Sequence, residues 1–161
     1  METDWGTALV GLFAIAVTLA PLAIIRLNKA KKEKLMMQSI NEMAQKMGAK
    51  IHLHEFCGDF LLGFDNQKNK VFFYKQKNVP TQAQYVDLTK IKSCRMVRQY
   101  SSTKNGNGGL GAINRVVMSF APANKISEEI HFELYNEAIN MQLSGELQFG
   151  ERWVEIISNR L

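Results

Sequence analysis

The sequence predicts a membrane-anchored α+β protein: one N-terminal transmembrane helix, a short amphipathic linker helix, and one small β-rich domain closed by a C-terminal helix. Three observations predict it. No charged residue occurs between Trp5 and Ile25. Met36, Ile40, Met43 and Met47 recur at steps of four, three and four, the spacing of one helical face. From Lys50 onward, short segments of period two take over until a final helical stretch.

At about 1.5 Å of rise per residue, the run from Trp5 to Ile25 crosses a hydrocarbon core of about 30 Å. A cleaved signal peptide needs a basic start and small residues at a cleavage site. Here Glu2 and Asp4 lead, Ala14 and Ala16 lie mid-run, and Ala20 is followed by Pro21. The run is therefore expected to remain as an anchor over residues 6–27, with residues 1–5 outside. Trp5 suits the outer interface. Pro21 removes a donor to the Val17 carbonyl, a kink that membrane helices tolerate with help from a hydroxyl such as that of Thr18. Arg26, Lys29, Lys31, Lys32 and Lys34 crowd the far flank with only Glu33 against them. The positive-inside bias places that flank in the cytoplasm. The same five residues are the expected contacts to anionic lipid headgroups, worth about 1 kcal/mol each near the surface.

The formal net charge of +5 is unevenly spread, with −2 before Arg26, +4 from Arg26 to Lys34 and +3 over all that follows. A membrane flank thus accounts for most of the basicity, which leaves no basic stripe for nucleic acid on the folded part. Cys57 and Cys94 are the only cysteines. In a cytoplasmic domain they stay reduced.

Residues 28–49 read as a basic amphipathic linker helix that stops at Gly48. Its stripe of Met36, Ile40, Met43 and Met47 can be covered by the chain's own domain, by a partner helix or by the membrane surface. Methionine faces adapt to many partners, so these four are also the candidate partner-binding residues. Fewer than three heptads are present, which argues against a coiled coil.

Within residues 50–161, KIHLHEF (50–56), FLLGFD (60–65) and KVFFYK (70–75) read as strands joined by Gly58-Asp59 and by NQKN. AQYVDLT (83–89) follows the break at Pro80. KSCRMVRQY (92–100), INRVVMSFA (113–121) and EEIHFELY (128–135) complete seven. In the last, Ile130, Phe132 and Leu134 should face one way and Glu129, His131 and Glu133 the other. Leu143, Leu147, Val154, Ile157 and Leu161 fall on one face of the closing helix, with Phe149 and Trp153 on its shoulder. Gly150 inside that helix predicts a bend or close packing on a strand.

Seven short antiparallel strands followed by one amphipathic helix is the layout of a pleckstrin-homology-like (PH-like) domain. FLLGFDNQKNKVFFYK and YVDLTKIKSCRMV, with VDLTKI as a connecting turn and Trp153 in the last helix, are similar to bacterial membrane-associated members. The resemblance covers Lys50 to Leu161 and implies a seven-stranded, partly open barrel plugged by a helix. It also implies a binding or scaffolding module at the bacterial inner membrane, without catalysis or cofactor. Phosphoinositide-binding members carry basic residues between their first two strands; here that loop is Cys57-Gly58-Asp59 and has none.

Other chemistry is weaker. Gly106, Gly108 and Gly111 fit G-x-G-x-x-G, but a β-branched segment follows where a dinucleotide site needs a helix N-terminus. His52, His54 and Cys57 lie close in sequence, yet tetrahedral metal sites need three or four ligands and no second cluster supplies them. No G-x-S-x-G or H-E-x-x-H occurs. The expected function is a single-pass protein whose cytoplasmic domain is a non-catalytic, protein-binding accessory subunit of a membrane complex. Its partners are the bilayer and a protein or further copies of itself, with no nucleic acid or small-molecule substrate. A tethered reader of anionic lipid is the alternative, and an enzyme with an unrecognised pocket the third.

Overall fold

A computed structural model describes residues 5–76, 82–101, 111–124, 126–140 and 142–161. Gly106, Gly108, Pro80 and the side chain of Trp5 lie outside the described residues.

The anchor run and the linker form one uninterrupted helix, α1 (Trp5–Lys46, 42 residues), with Pro21 inside it. It is long and apolar enough over its first half to cross a membrane. The described side chains of that half are bare: Phe13 is 70% exposed and Leu19 56%. The Thr18 hydroxyl donates to the carbonyls of Ala14 (3.1 Å) and Ile15 (3.0 Å), one turn before the carbonyl that Pro21 leaves without a donor. α1 ends where Gly48 adopts φ 60°, with Ala49 N–H donating to Ala44 O and Gly48 N–H to Gln45 O, both at 2.8 Å. This paired closure needs a left-handed residue, and glycine supplies it without strain.

Seven antiparallel strands form two sheets. β1 (Leu53–Cys57), β2 (Phe60–Asp65), β3 (Lys70–Lys75) and β4 (Gln82–Asp87) lie in that order in the first. A short 3-10 turn (Leu88–Lys90) leads to β5 (Ile91–Tyr100), β6 (Ile113–Pro122) and β7 (Ile130–Asn136) in the second. α2 (Glu146–Ser158) closes the chain. The order is roughly PH-like, and among the described residues the strands do not close into a barrel.

The first sheet is covered on both faces, which explains why β2 is apolar from Phe60 to Phe64 rather than alternating. Phe60, Leu62 and Phe64 point into the main core with Val71, Phe73, Phe120, Phe132 and Trp153. Leu61 and Phe72 face the other way, against Met36, Ile40 and Ala44 of α1. Gly63 completes that second contact: a Cβ there would lie 3.1 Å from Ile40 Cδ1 and from Ile51 Cδ1. Its missing side chain lets the helix lie close on the sheet.

Two expected faces shift. In α2 the buried residues are Glu146, Phe149, Gly150, Trp153 and Ile157. Leu143, Leu147 and Val154 sit at the rim, and Leu161 is 44% exposed. Leu143 precedes the helix, so a stripe phased from it is rotated away from the true face. Gly150 is a packing glycine, since a Cβ there would lie 2.3 Å from Met96 Sδ and 2.9 Å from Leu134 Cδ1. In β7 the register slips so that Val116 faces Tyr135 and Val117 faces Glu133. Leu134 is the extra residue of a bulge, and both Leu134 and Tyr135 turn into the core.

Candidate functional site

Along the first sheet, α1 runs from the β1–β2 turn to the β2–β3 turn. At one end Lys32 Nζ donates to Gly58 O at 3.3 Å, and at the other Lys68 Nζ donates to Met47 O at 3.4 Å. Of the candidate partner-binding stripe, Met36 and Ile40 are 1% and 0% exposed beneath the chain's own sheet. Met43 borders that contact, and Met47 stays 37% exposed. Ala44, too small to stand out in the sequence, takes the third buried position at 1%. The basic flank divides as well: Arg26, Lys29, Lys31 and Lys34 are exposed, Lys32 is half-buried against the turn. Lys29 pairs with Glu33 at 3.8 Å.

The end of the domain nearest that flank is acidic among the described residues. Glu55, Asp59 and Glu146 surround Cys57, and burial together with these carboxylates pushes its thiol up to about 11. Arg152 pairs with Glu55, which also accepts the Trp153 indole N–H at 2.9 Å. Burial alone pushes Cys94 up to about 12. Neither thiol is poised as a nucleophile or metal ligand at neutral pH. His52 and His54 are both exposed and do not converge: His52 Nδ1 lies 3.5 Å from Asp65, while His54 meets the edge of the Phe56 ring. Among the described residues no three potential metal ligands come together.

Two polar residues buried in the fold were invisible to pattern reading. Lys75 is 0% exposed, and its Nζ donates to Glu133 O (3.3 Å) and Leu134 O (3.2 Å), the carbonyls at the β7 bulge. Asp59 Oδ2 lies 3.9 Å from the same nitrogen. Asp65, 1% exposed, accepts N–H bonds from Lys50 (2.8 Å), Gln67 (2.8 Å) and Lys68 (3.1 Å), tying the chain after α1 to the β2–β3 turn. Burial pulls its pKa upward, and the three N–H donors with His52 outweigh that pull, so the carboxyl titrates below its ordinary value. Its stabilising contribution is complete above the unfolded carboxylate range near pH ~4 and is lost as pH falls through the lowered folded pKa. Asp65→Asn is expected to lose about 1–3 kcal/mol at pH 7. Urea melts should show that deficit shrinking as the pH falls below ~4, because the wild type then loses the same charge.

A cleft of about 510 Å³ lies beside β4, which among the described residues pairs on one side only. Tyr85, Asp87, Ile91, Pro122, Glu128 and Ile130 are among the residues that line it. Asp87 is occupied locally, accepting from the Thr89 hydroxyl at 2.6 Å and the Thr89 N–H at 3.1 Å. The Thr89 hydroxyl bond is the main cause of its lowered pKa, with Lys70 and Lys90 adding to it. No nucleophile–base pair lines this cleft among the described residues. Gly111, the described member of the glycine run, packs against the Ser101 backbone, where a Cβ would lie 2.2 Å from Ser101 O.

Comparison with known proteins finds no matching family model, no matching curated protein and no matching solved structure.

Proposed function

We propose that this chain is a single-pass protein of the bacterial inner membrane, N-terminus outside, whose cytoplasmic PH-like domain is a non-catalytic docking module in a membrane complex. The observation that carries this reading is the continuity of α1. The helix that is apolar and bare over its first half is fixed to the first sheet over its second, so the domain is mounted on its anchor rather than tethered by a flexible linker. The lysine flank lies between the two halves, where anionic headgroups attract it.

Charge favours protein docking over lipid reading by the domain itself. Among the described residues, the domain end nearest the flank sets Glu55, Asp59 and the buried Glu146 against Arg152 and the buried Lys75, so it offers no surplus of positive charge to anionic headgroups, while Arg26, Lys29, Lys31 and Lys34 are exposed on the helix to meet them. Sodium carbonate washing of bacterial membranes should leave the full chain in the pellet. Protease added to inside-out vesicles should then digest the domain. Release by carbonate, or protection of the domain in inside-out vesicles, contradicts the assignment.

A further inference from the structure

Among the described residues β4 has a strand neighbour on one side only. Leu88 N–H donates to Asn69 O at 2.9 Å, which fixes the alternation along the β3–β4 pair. Val86 and Gln84 therefore turn their main-chain groups toward β3, and Ala83, Tyr85 and Asp87 turn theirs outward. That outward row borders the cleft. A row of open N–H and C=O groups accepts another extended backbone, and an adjoining apolar hollow selects the side chains it carries.

The surroundings say which segment fits. Ile91, Pro122 and Ile130 give the cleft an apolar lining, and Ile126 in the adjoining loop is 90% exposed. Among the described residues the charges around it balance: Asp87 and Glu128 stand against Lys90 in the lining and Lys70, whose Nζ lies 5.8 Å from the Tyr85 ring centre. A neutral hollow disfavours a strongly charged strand, because its charges lose water without gaining partners. A second copy is a poor occupant. Copies standing upright in one membrane present β4 in the same direction, and could pair only in parallel, the less stable ladder.

Extending the docking function proposed above, we infer that the β4 edge and its cleft take an uncharged, β-branched extended segment of another protein as a fifth strand of the first sheet. Tyr85 pairs with Phe72 and Phe72 with Gly63, which meets Ile40. The site thus stands level with Ile40, about 21 Å along α1 from Arg26. At about 3.3 Å per extended residue, the tail of a neighbouring membrane protein reaches it within about six or seven residues of the bilayer.

The test is fluorescence anisotropy of labelled peptides on the full chain in detergent micelles. The probes are acetyl-Thr-Val-Thr-Ile-Thr-amide, the same peptide with Lys or with Glu at the Thr positions, and two neutral versions N-methylated at alternate residues. The neutral peptide is expected to bind at least tenfold more tightly than either charged one. N-methylation should abolish binding in one alternate set and spare it in the other. Ala83→Pro removes an outward N–H that the β3 ladder does not use, so the sheet keeps its pairing while the added strand is blocked. It should weaken binding at least tenfold, as should Ile130→Lys, with unchanged circular dichroism. Absence of neutral-peptide binding, equal binding of all three peptides, equal effects of both methylation sets, or binding untouched by both variants overturns the proposal. The assay needs no bilayer, so its failure leaves carbonate extraction free to decide the membrane reading separately.

Discussion

Lys75→Met is expected to lower the stability of the folded chain by about 3–5 kcal/mol, the usual effect of removing one partner from a buried charged contact. Methionine keeps an unbranched apolar side chain of similar length and loses the ammonium, which lies 6.0 Å from the Phe60 ring centre. The ammonium donates to Glu133 O and to Leu134 O, and it lies 3.9 Å from the Asp59 carboxylate. The two carbonyls belong to the bulge that turns both Leu134 and Tyr135 inward, so a lysine on the first sheet holds an irregularity in the second. Guanidinium melts of the full chain in detergent measure the effect. A loss below about 1 kcal/mol would mean that the bulge carbonyls find other donors and that Lys75 is not the link between the sheets.

Removing the second half of α1 is expected to have the other large effect. A chain beginning at Lys50 leaves Leu61 and Phe72, now fully buried, uncovered together with Ile51, Phe56 and Tyr74. So large a contiguous apolar patch makes that fragment aggregate. A chain beginning at Glu33 retains Met36, Ile40 and Ala44, and should be monomeric and melt cooperatively. Within that chain, Ile40→Ala should lose about 2–5 kcal/mol, since the side chain is fully buried and its cavity lies against a glycine that cannot fill it. Size-exclusion chromatography and urea melts separate the outcomes. A well-behaved monomer from Lys50 onward would show that α1 is an appendage rather than part of the domain.

Much of this architecture was legible because local pattern and final environment agree. The uncharged run, the helical stripe around Ile40 and the seven short strands each follow from periodicity alone. What pattern reading missed depends on contacts distant in sequence. Lys75 reads as the polar end of a strand, and only the approach of β7, 58 residues on, makes it a buried donor. Ala44 carries too little apolar surface to mark a helix face, yet it is buried in the contact between helix and sheet. The bulge at Leu134 breaks an alternation that looked regular, because which residue is extra depends on the partner strand. The β4 edge was hidden for the same reason: an open edge is defined by the strand that is not beside it. The linker reads as separate from the anchor because its composition changes at Arg26, although nothing there interrupts the helical backbone.

The central claim is that one rigid helix both spans the membrane and carries the domain. Spin labels at Asn28→Cys and Gln67→Cys, with Cys57 and Cys94 replaced by serine and alanine, test it most directly in lipid nanodiscs. Both positions are exposed, one just beyond the apolar half of α1 and the other in the β2–β3 turn near Met47. Met47, just past the end of α1, is nineteen residue steps from Asn28, so pulsed dipolar spectroscopy should give one narrow distribution near ~30 Å. A broad distribution, or one centred well below ~20 Å, would show a hinge between anchor and domain.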